Sequence, residues 1–135
     1  MFHTIIVVGN VGRDCELRYT PSGAAVASFS VATNRQYTAS SGEKVKETVW
    51  FRISAWGKQA EVCNQYVKKG MKVLVEGRLN ADEHGGPRIW GEGENKKASF
   101  EVTASTVRFL SSRGEEEQES KDSGDMLPPE GEIPF

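Results

Sequence analysis

The stretch Thr48 to Gly57, Thr-Val-Trp-Phe-Arg-Ile-Ser-Ala-Trp-Gly, alternates strictly. Read with the two-residue period of a strand, one face carries Val49, Phe51, Ile53 and Ala55. Such a face must be buried, so this strand needs a core behind it. The other face carries Thr48, Trp50, Arg52, Ser54 and Trp56. Tryptophan is costly to leave in water, and two beside an arginine allow two readings. Either a second layer, such as a subunit contact, covers them, or they form a flat π platform for stacking ligands. The strand alone leaves both open.

The rest of the chain supplies the core. Phe2 to Gly9 is β-branched and apolar on both faces and reads as a buried central strand. Gly9-Asn10-Val11-Gly12 reads as its break, because Gly and Asn accept left-handed backbone angles. Cys15 to Tyr19 reads as a short continuation, Thr20-Pro21-Ser22-Gly23 as a turn, and Ala24 to Thr33 as a closely packed strand. Asn34 to Lys46 is polar, with a hairpin tip at Ser40-Ser41-Gly42. In Lys58 to Val67 the spacing of Ala60, Val62, Cys63, Tyr66 and Val67 predicts a short amphipathic helix, ended by Lys68-Lys69-Gly70. Lys72 to Asn80 is a strand, Ala81 to Ala98 a long glycine-rich loop, and Ser99 to Leu110 the last strand. Three strands, a helix and two strands is the order of an OB-fold, an all-β, five-stranded, partly open Greek-key barrel. A twisted α+β sheet with a capping helix is the alternative.

Charge divides the chain. Residues 1–113 hold 16 Lys+Arg against 11 Asp+Glu, about +5, and residues 114–135 hold one lysine against 8 acids, about -7, which sums to the net -2. The expected division is a domain over residues 1–112 and an acidic tail over 113–135. The run Gly114 to Gly124 has too little apolar surface to offset its ordering entropy and is expected to be disordered. The end turns apolar again. Acidic residues ahead of a terminal Ile133-Pro134-Phe135 look like a peptide ligand on a tether.

Catalytic chemistry finds no support. His3 and His84 are the two histidines, and Cys15 and Cys63 the two cysteines, all in unrelated settings. No P-loop, nucleophile elbow or metal-ligand spacing occurs, so neither an enzyme nor a metal or other cofactor is expected. The absence of a long apolar run and of a basic leader points to a cytoplasmic protein. Binding chemistry fits better. Trp50, Trp56, Trp90 and Tyr37 are interleaved with Arg35, Lys44, Lys46, Arg52, Lys58, Lys69, Arg78, Arg88, Lys96 and Lys97. Bases stack on aromatic faces regardless of sequence, and cations track phosphates. Arg52 alone is ambiguous: it touches phosphate or pairs with a neighbouring carboxylate.

Several segments together carry a resemblance. Val8-Gly9-Asn10-Val11-Gly12-Arg13-Asp14, Leu17 to Gly23, Phe29 to Asn34, Trp50-Phe51-Arg52-Ile53 and Gly57 to Glu61 resemble the bacterial single-stranded DNA-binding protein family at matching spacings. Tyr66 to Gly70 and Val75 to Leu79 extend the match. The resemblance implies an OB-fold homotetramer that coats single-stranded DNA in replication, recombination and repair. It implies base stacking on Trp50 and Trp56, with Tyr37 and Trp90 near two further stacking positions. It also implies that Asp125, Glu130, Glu132, Ile133, Pro134 and Phe135 form a tip that docks replication and repair enzymes. The loop Asn80 to Lys97 departs from the family pattern, and the tail is short, its acids split by Leu127-Pro128-Pro129 and Gly131.

Overall fold

The computed structural model describes residues 1–111. It contains β1 (Ile5–Val11), β2 (Glu16–Tyr19), β3 (Ala25–Thr38), β4 (Lys44–Trp56), helix α1 (Lys58–Tyr66), β5 (Lys72–Leu79), β6 (Arg88–Trp90), a 3-10 turn (Gly93–Asn95) and β7 (Lys97–Ser111). The long strands β1, β5, β7, β4 and β3 pair in that order, and β1 closes onto β3 through Asn10 opposite Ala32 and Val11 opposite Val31. Every barrel contact is antiparallel except β4 with β7, which is parallel from Phe51/Phe100 to Ser54/Thr103. This is the five-stranded barrel with one helix that the element order predicts, with β2 added beside β3 and β6 folded onto β7.

The interior takes one side chain from every second position. Phe29, Val31, Ile53, Val73, Val75 and Val102 are fully buried there. Truncating one of them, such as Ile53→Ala, removes several methyl groups from a closed core and costs roughly 2–5 kcal/mol. Helix α1 packs against β2, β3, β4 and β7 and turns Ala60 and Cys63 inward, with Val67 buried just after its end. Gln59 reaches the irregular pairing of β7 around Ser105. With its amide nitrogen donating to the Ala104 carbonyl (3.2 Å), its oxygen accepts from the Val107 N–H (3.1 Å). At the other end the imidazole of His3 accepts from the Leu79 N–H at 3.1 Å and ties the N-terminal arm to β5.

Several sequence expectations change. The break at Gly9 to Gly12 does not exist: β1 runs through to Val11, and neither Gly9, Asn10 nor Gly12 takes a positive φ. Gly9 is small because the Ala32 carbonyl of the closing strand occupies the place a Cβ would take. Nor is β1 buried on both faces, since Ile6 is 60% and Val8 45% exposed. The segment Asn34 to Lys46 is mostly strand, because β3 and β4 pair out to Thr38 and Lys44 around the turn closed by Ala39, Glu43 and Gly42 (φ 88°). Helix α1 stops at Tyr66. Its last turn holds no cation, and Lys68, Lys69 and Gly70 form a separate turn beyond it, with Val62 and Tyr66 on its solvent side. The loop Ala81 to Ala98 contains β6, paired to Lys97–Ser99. The tail boundary at residue 113 lies outside the described residues, as do Asp125, Glu130, Glu132, Ile133, Pro134 and Phe135.

Candidate nucleic-acid interface

The alternation of β4 places Trp50, Arg52 and Trp56 outside the barrel, with Trp50 54% and Trp56 47% exposed. Their cross-strand partners on β3 are small or short: Ala32 opposite Trp50, Ser30 opposite Arg52, Ser28 opposite Ser54 and Val26 opposite Trp56. Large rings therefore stand on a low floor. Trp50 also leans on the end of β1, where the backbone of Gly12 meets the indole edge. Lys58 opens α1 two residues beyond Trp56 and is exposed. On the far side of β4, Thr103 of β7 pairs with both Ser54 and Arg78, which brings Arg78 onto the same outer row.

Two further clusters surround this strip. On the hairpin, Arg35 sits over the Tyr37 ring at 4.8 Å and pairs with Glu47 at 3.5 Å. Position parity puts Arg35 and Tyr37 on the opposite side of the ribbon from Trp50. On the β6–β7 ribbon, Lys97 lies over the Trp90 ring at 5.5 Å, and the indole N–H of Trp90 donates to the Ser99 hydroxyl at 2.8 Å. That bond fixes the ring while leaving it 47% exposed. Arg88 pairs with Glu101 at 3.6 Å, and Lys96 is exposed in the same ribbon. Lys69 stands apart, in the turn where its N–H donates to the Asp14 carboxylate at 2.8 Å. The structure thus unites Trp50, Arg52, Trp56, Lys58 and Arg78 on one face. It groups Arg35 with Tyr37, and Arg88, Trp90, Lys96 and Lys97 together, and leaves Lys69 outside these groups.

Arg52 has no carboxylate of the described residues within 4.0 Å, although Glu101 is its partner in register, because Glu101 faces Arg88. The support that Gly12 gives Trp50 escapes sequence reading. Its only sequence signal is a glycine, which reads there as part of a backbone break.

Thiol chemistry is absent from this face. Burial raises the pKa of Cys15, and burial with the neighbouring Cys15 pushes Cys63 up to about 12, so both stay protonated near neutrality. Among the described residues no group of His, Cys, Asp and Glu could hold a metal ion, and no helix is long and apolar enough to cross a membrane.

A closed five-stranded barrel with ring side chains standing on its outer strands defines the oligonucleotide-binding class of OB-folds. The sequence matches the Single-strand binding protein family over residues 2–110, and the chain belongs to that family, which is one of binding proteins rather than enzymes. It is 40% identical over 115 residues to a single-stranded DNA-binding protein of Wolinella succinogenes, covering 84% of this chain and 67% of that protein. It is 36% identical over 129 residues to one from Helicobacter hepaticus, covering 95% and 68%. Among solved structures it resembles a Plasmodium falciparum SSB in complex with ssDNA (TM-score 0.67, 26% identity, 82% of this chain and 97% of that one). It also resembles a deletion mutant of the single-stranded DNA binding protein from Thermus aquaticus (TM-score 0.64, 29% identity, 82% and 51%). The chain thus spans about two thirds of the length of these curated relatives and about half of the Thermus chain.

Proposed function

We propose that this protein binds single-stranded DNA without sequence preference, protects exposed strands in replication, recombination and repair, and recruits partner enzymes through Ile133-Pro134-Phe135. The observation that carries the reading is the outer face of β4. Two half-exposed tryptophans flank an arginine free of any carboxylate among the described residues. Each base stacked on such a ring contributes about 1–3 kcal/mol irrespective of its identity, and each phosphate neutralised releases counterions. Tyr37 and Trp90, each with a cation over its ring, offer two more stacking stations. Family membership and the ssDNA complex of a structural neighbour support the same reading.

The protein works as a homotetramer in this reading. Ile6 and Val8 are exposed and apolar on the outer face of β1, beside half-covered Leu74 opposite Val8 on β5, and a second copy would cover them. The experiment is a tryptophan-fluorescence titration with oligo-dT of several lengths at two salt concentrations. Strong quenching, with affinity falling as salt rises, is expected. Unchanged emission at saturating oligonucleotide would refute the stacking role.

A further inference from the structure

Between Trp50 and Trp56 the outer surface is not flat. Ser30 stands opposite Arg52, Ser28 opposite Ser54, and on β2 Glu16 stands opposite Ser28. The Gly12 N–H donates to the Ser30 carbonyl at 2.9 Å, which draws the β1–β2 turn, and Arg13 with it, to the same rows. Arg13, Ser28, Ser30 and Arg52 line one shallow notch together with Glu16 and Phe29. We propose that this notch is a phosphodiester-binding site, in which Arg13 and Arg52 clamp one backbone phosphate and the Ser28 and Ser30 hydroxyls donate to its oxygens. The inference rests on the single-stranded DNA reading above and adds Arg13, Ser28 and Ser30 to it.

Three observations converge on an anion. The first is charge. Arg35 and Arg88 are answered by Glu47 and Glu101, but no carboxylate of the described residues lies within 4.0 Å of Arg13 or Arg52. Two uncommitted guanidiniums on one notch outweigh its single acid, Glu16. The second is the hydroxyls. Ser28 is only 8% exposed, yet neither its hydroxyl nor that of Ser30 finds a partner among the described residues. The Ser28 oxygen keeps solvent access and, like that of Ser30, is free to donate, and a phosphate oxygen accepts from several donors at once.

The third is position. Six residues along a strand separate Trp50 from Trp56 by about 20 Å, against a step of roughly 3.4 Å between stacked neighbours, so bases on the two rings belong to non-adjacent nucleotides. The backbone joining them crosses the Arg52/Ser30 and Ser54/Ser28 rows. Glu16, opposite Ser28 and on the same notch, opposes the phosphate there, so the two arginines must outweigh it and the phosphate is held toward the Ser30/Arg52 row.

The test is the full-length Arg13→Gln protein, titrated with oligo-dT across a salt series. Arg13 is exposed in a turn, and a thermal melt confirms that the variant folds. The expected result is roughly three- to tenfold weaker binding and a log–log salt slope shallower by about 0.7, with quenching at saturation unchanged. Ser28→Ala with Ser30→Ala should weaken binding while keeping the wild-type slope, since no charge is removed. With neutral methylphosphonate linkages, wild type and Arg13→Gln should bind alike. An unchanged slope and affinity for Arg13→Gln, or a deficit that persists on methylphosphonates, would overturn the notch. Wild-type protein that neither quenches nor responds to salt would instead sink the underlying DNA reading.

Discussion

The backbone of Gly12 packs against the indole of Trp50: a methyl group at position 12 would overlap Cζ3 and stand 2.8 Å from Cη2. Gly12 has no positive φ, so alanine suits its backbone and only the ring has to move. Gly12→Ala should leave folding intact, shift the tryptophan emission and weaken oligo-dT binding by roughly 1 kcal/mol, the low end of one stacking contact. Wild-type affinity in that variant would show that the ring's resting place is irrelevant to binding.

Removing the ring tests the platform itself. Trp50→Ala should cost about 1–3 kcal/mol, or roughly 5- to 150-fold, equally on oligo-dT, oligo-dC and mixed sequences. The protein should still fold, because Trp50 lies outside the core cluster. A loss confined to one sequence would contradict a sequence-tolerant stack.

The outer face of β1 bears on assembly. Ile6→Glu with Val8→Glu places two carboxylates where apolar side chains stand exposed, and should leave the barrel closed, since Val7 and Val11 face inward. If the homotetramer proposed above is right, sedimentation should shift to a smaller species than wild type. An unchanged sedimentation coefficient would place the subunit contact elsewhere.

Truncation after residue 111 removes Arg113 and Lys121 against 8 acids, a net -6, and leaves residues 1–111 at +4. The shortened chain should bind oligo-dT as tightly as the full chain or slightly tighter, and fail to retain partner enzymes in a pull-down. A large loss of DNA affinity would show that the tail belongs to the binding surface.

Cys63 sets an alkaline limit. Its pKa is 9.0 in the unfolded reference and about 12 in the fold. Between those values the unfolded chain has lost the proton that the native state keeps, so stability falls as pH rises, by up to about 1.4 kcal/mol per pH unit. It is unaffected by this group below pH 8. Chemical denaturation from pH 8 to 11 should show the decline, and Cys63→Ala should flatten it. Equal slopes in the two proteins would assign the alkaline loss to other groups.

Physical reasons separate what the sequence reveals from what it hides. The Thr48–Gly57 alternation was readable because one face of β4 had to be buried, and a one-residue slip would expose Ile53. The outward tryptophans followed from the same parity. The role of Gly9 did not, because residue type reports backbone permissiveness, whereas here the constraint is the Ala32 carbonyl, 23 positions on. The β-branched run Ile5 to Val8 reads as buried on both sides, because an exposed apolar face such as that of Ile6 and Val8 carries the same residue types as a core. The hairpin tip at Ser40-Ser41-Gly42 was legible, but the arms beside it, mostly polar on both faces, show no alternation, so their pairing out to Thr38 and Lys44 was not. Ser28 and Ser30 carry no signal in the sequence, because only the pairing of β2, β3 and β4 sets them beside Glu16, Ser54 and Arg52.

The single parallel contact between β4 and β7 has a consequence for how the chain comes together. Phe51 meets Phe100, 49 positions on, and Ile5 of β1 meets Gly77, while β3 and β4 meet across a tight turn. Loop closure favours the local hairpin first, so the ribbon bearing both tryptophans should form before the barrel that supports it. Pulse-labelled hydrogen exchange during refolding should find β3 and β4 protected ahead of β1 and β7, with simultaneous protection as the contrary result. On a ribosome, this chain would display its ligand-facing ribbon while still unable to close.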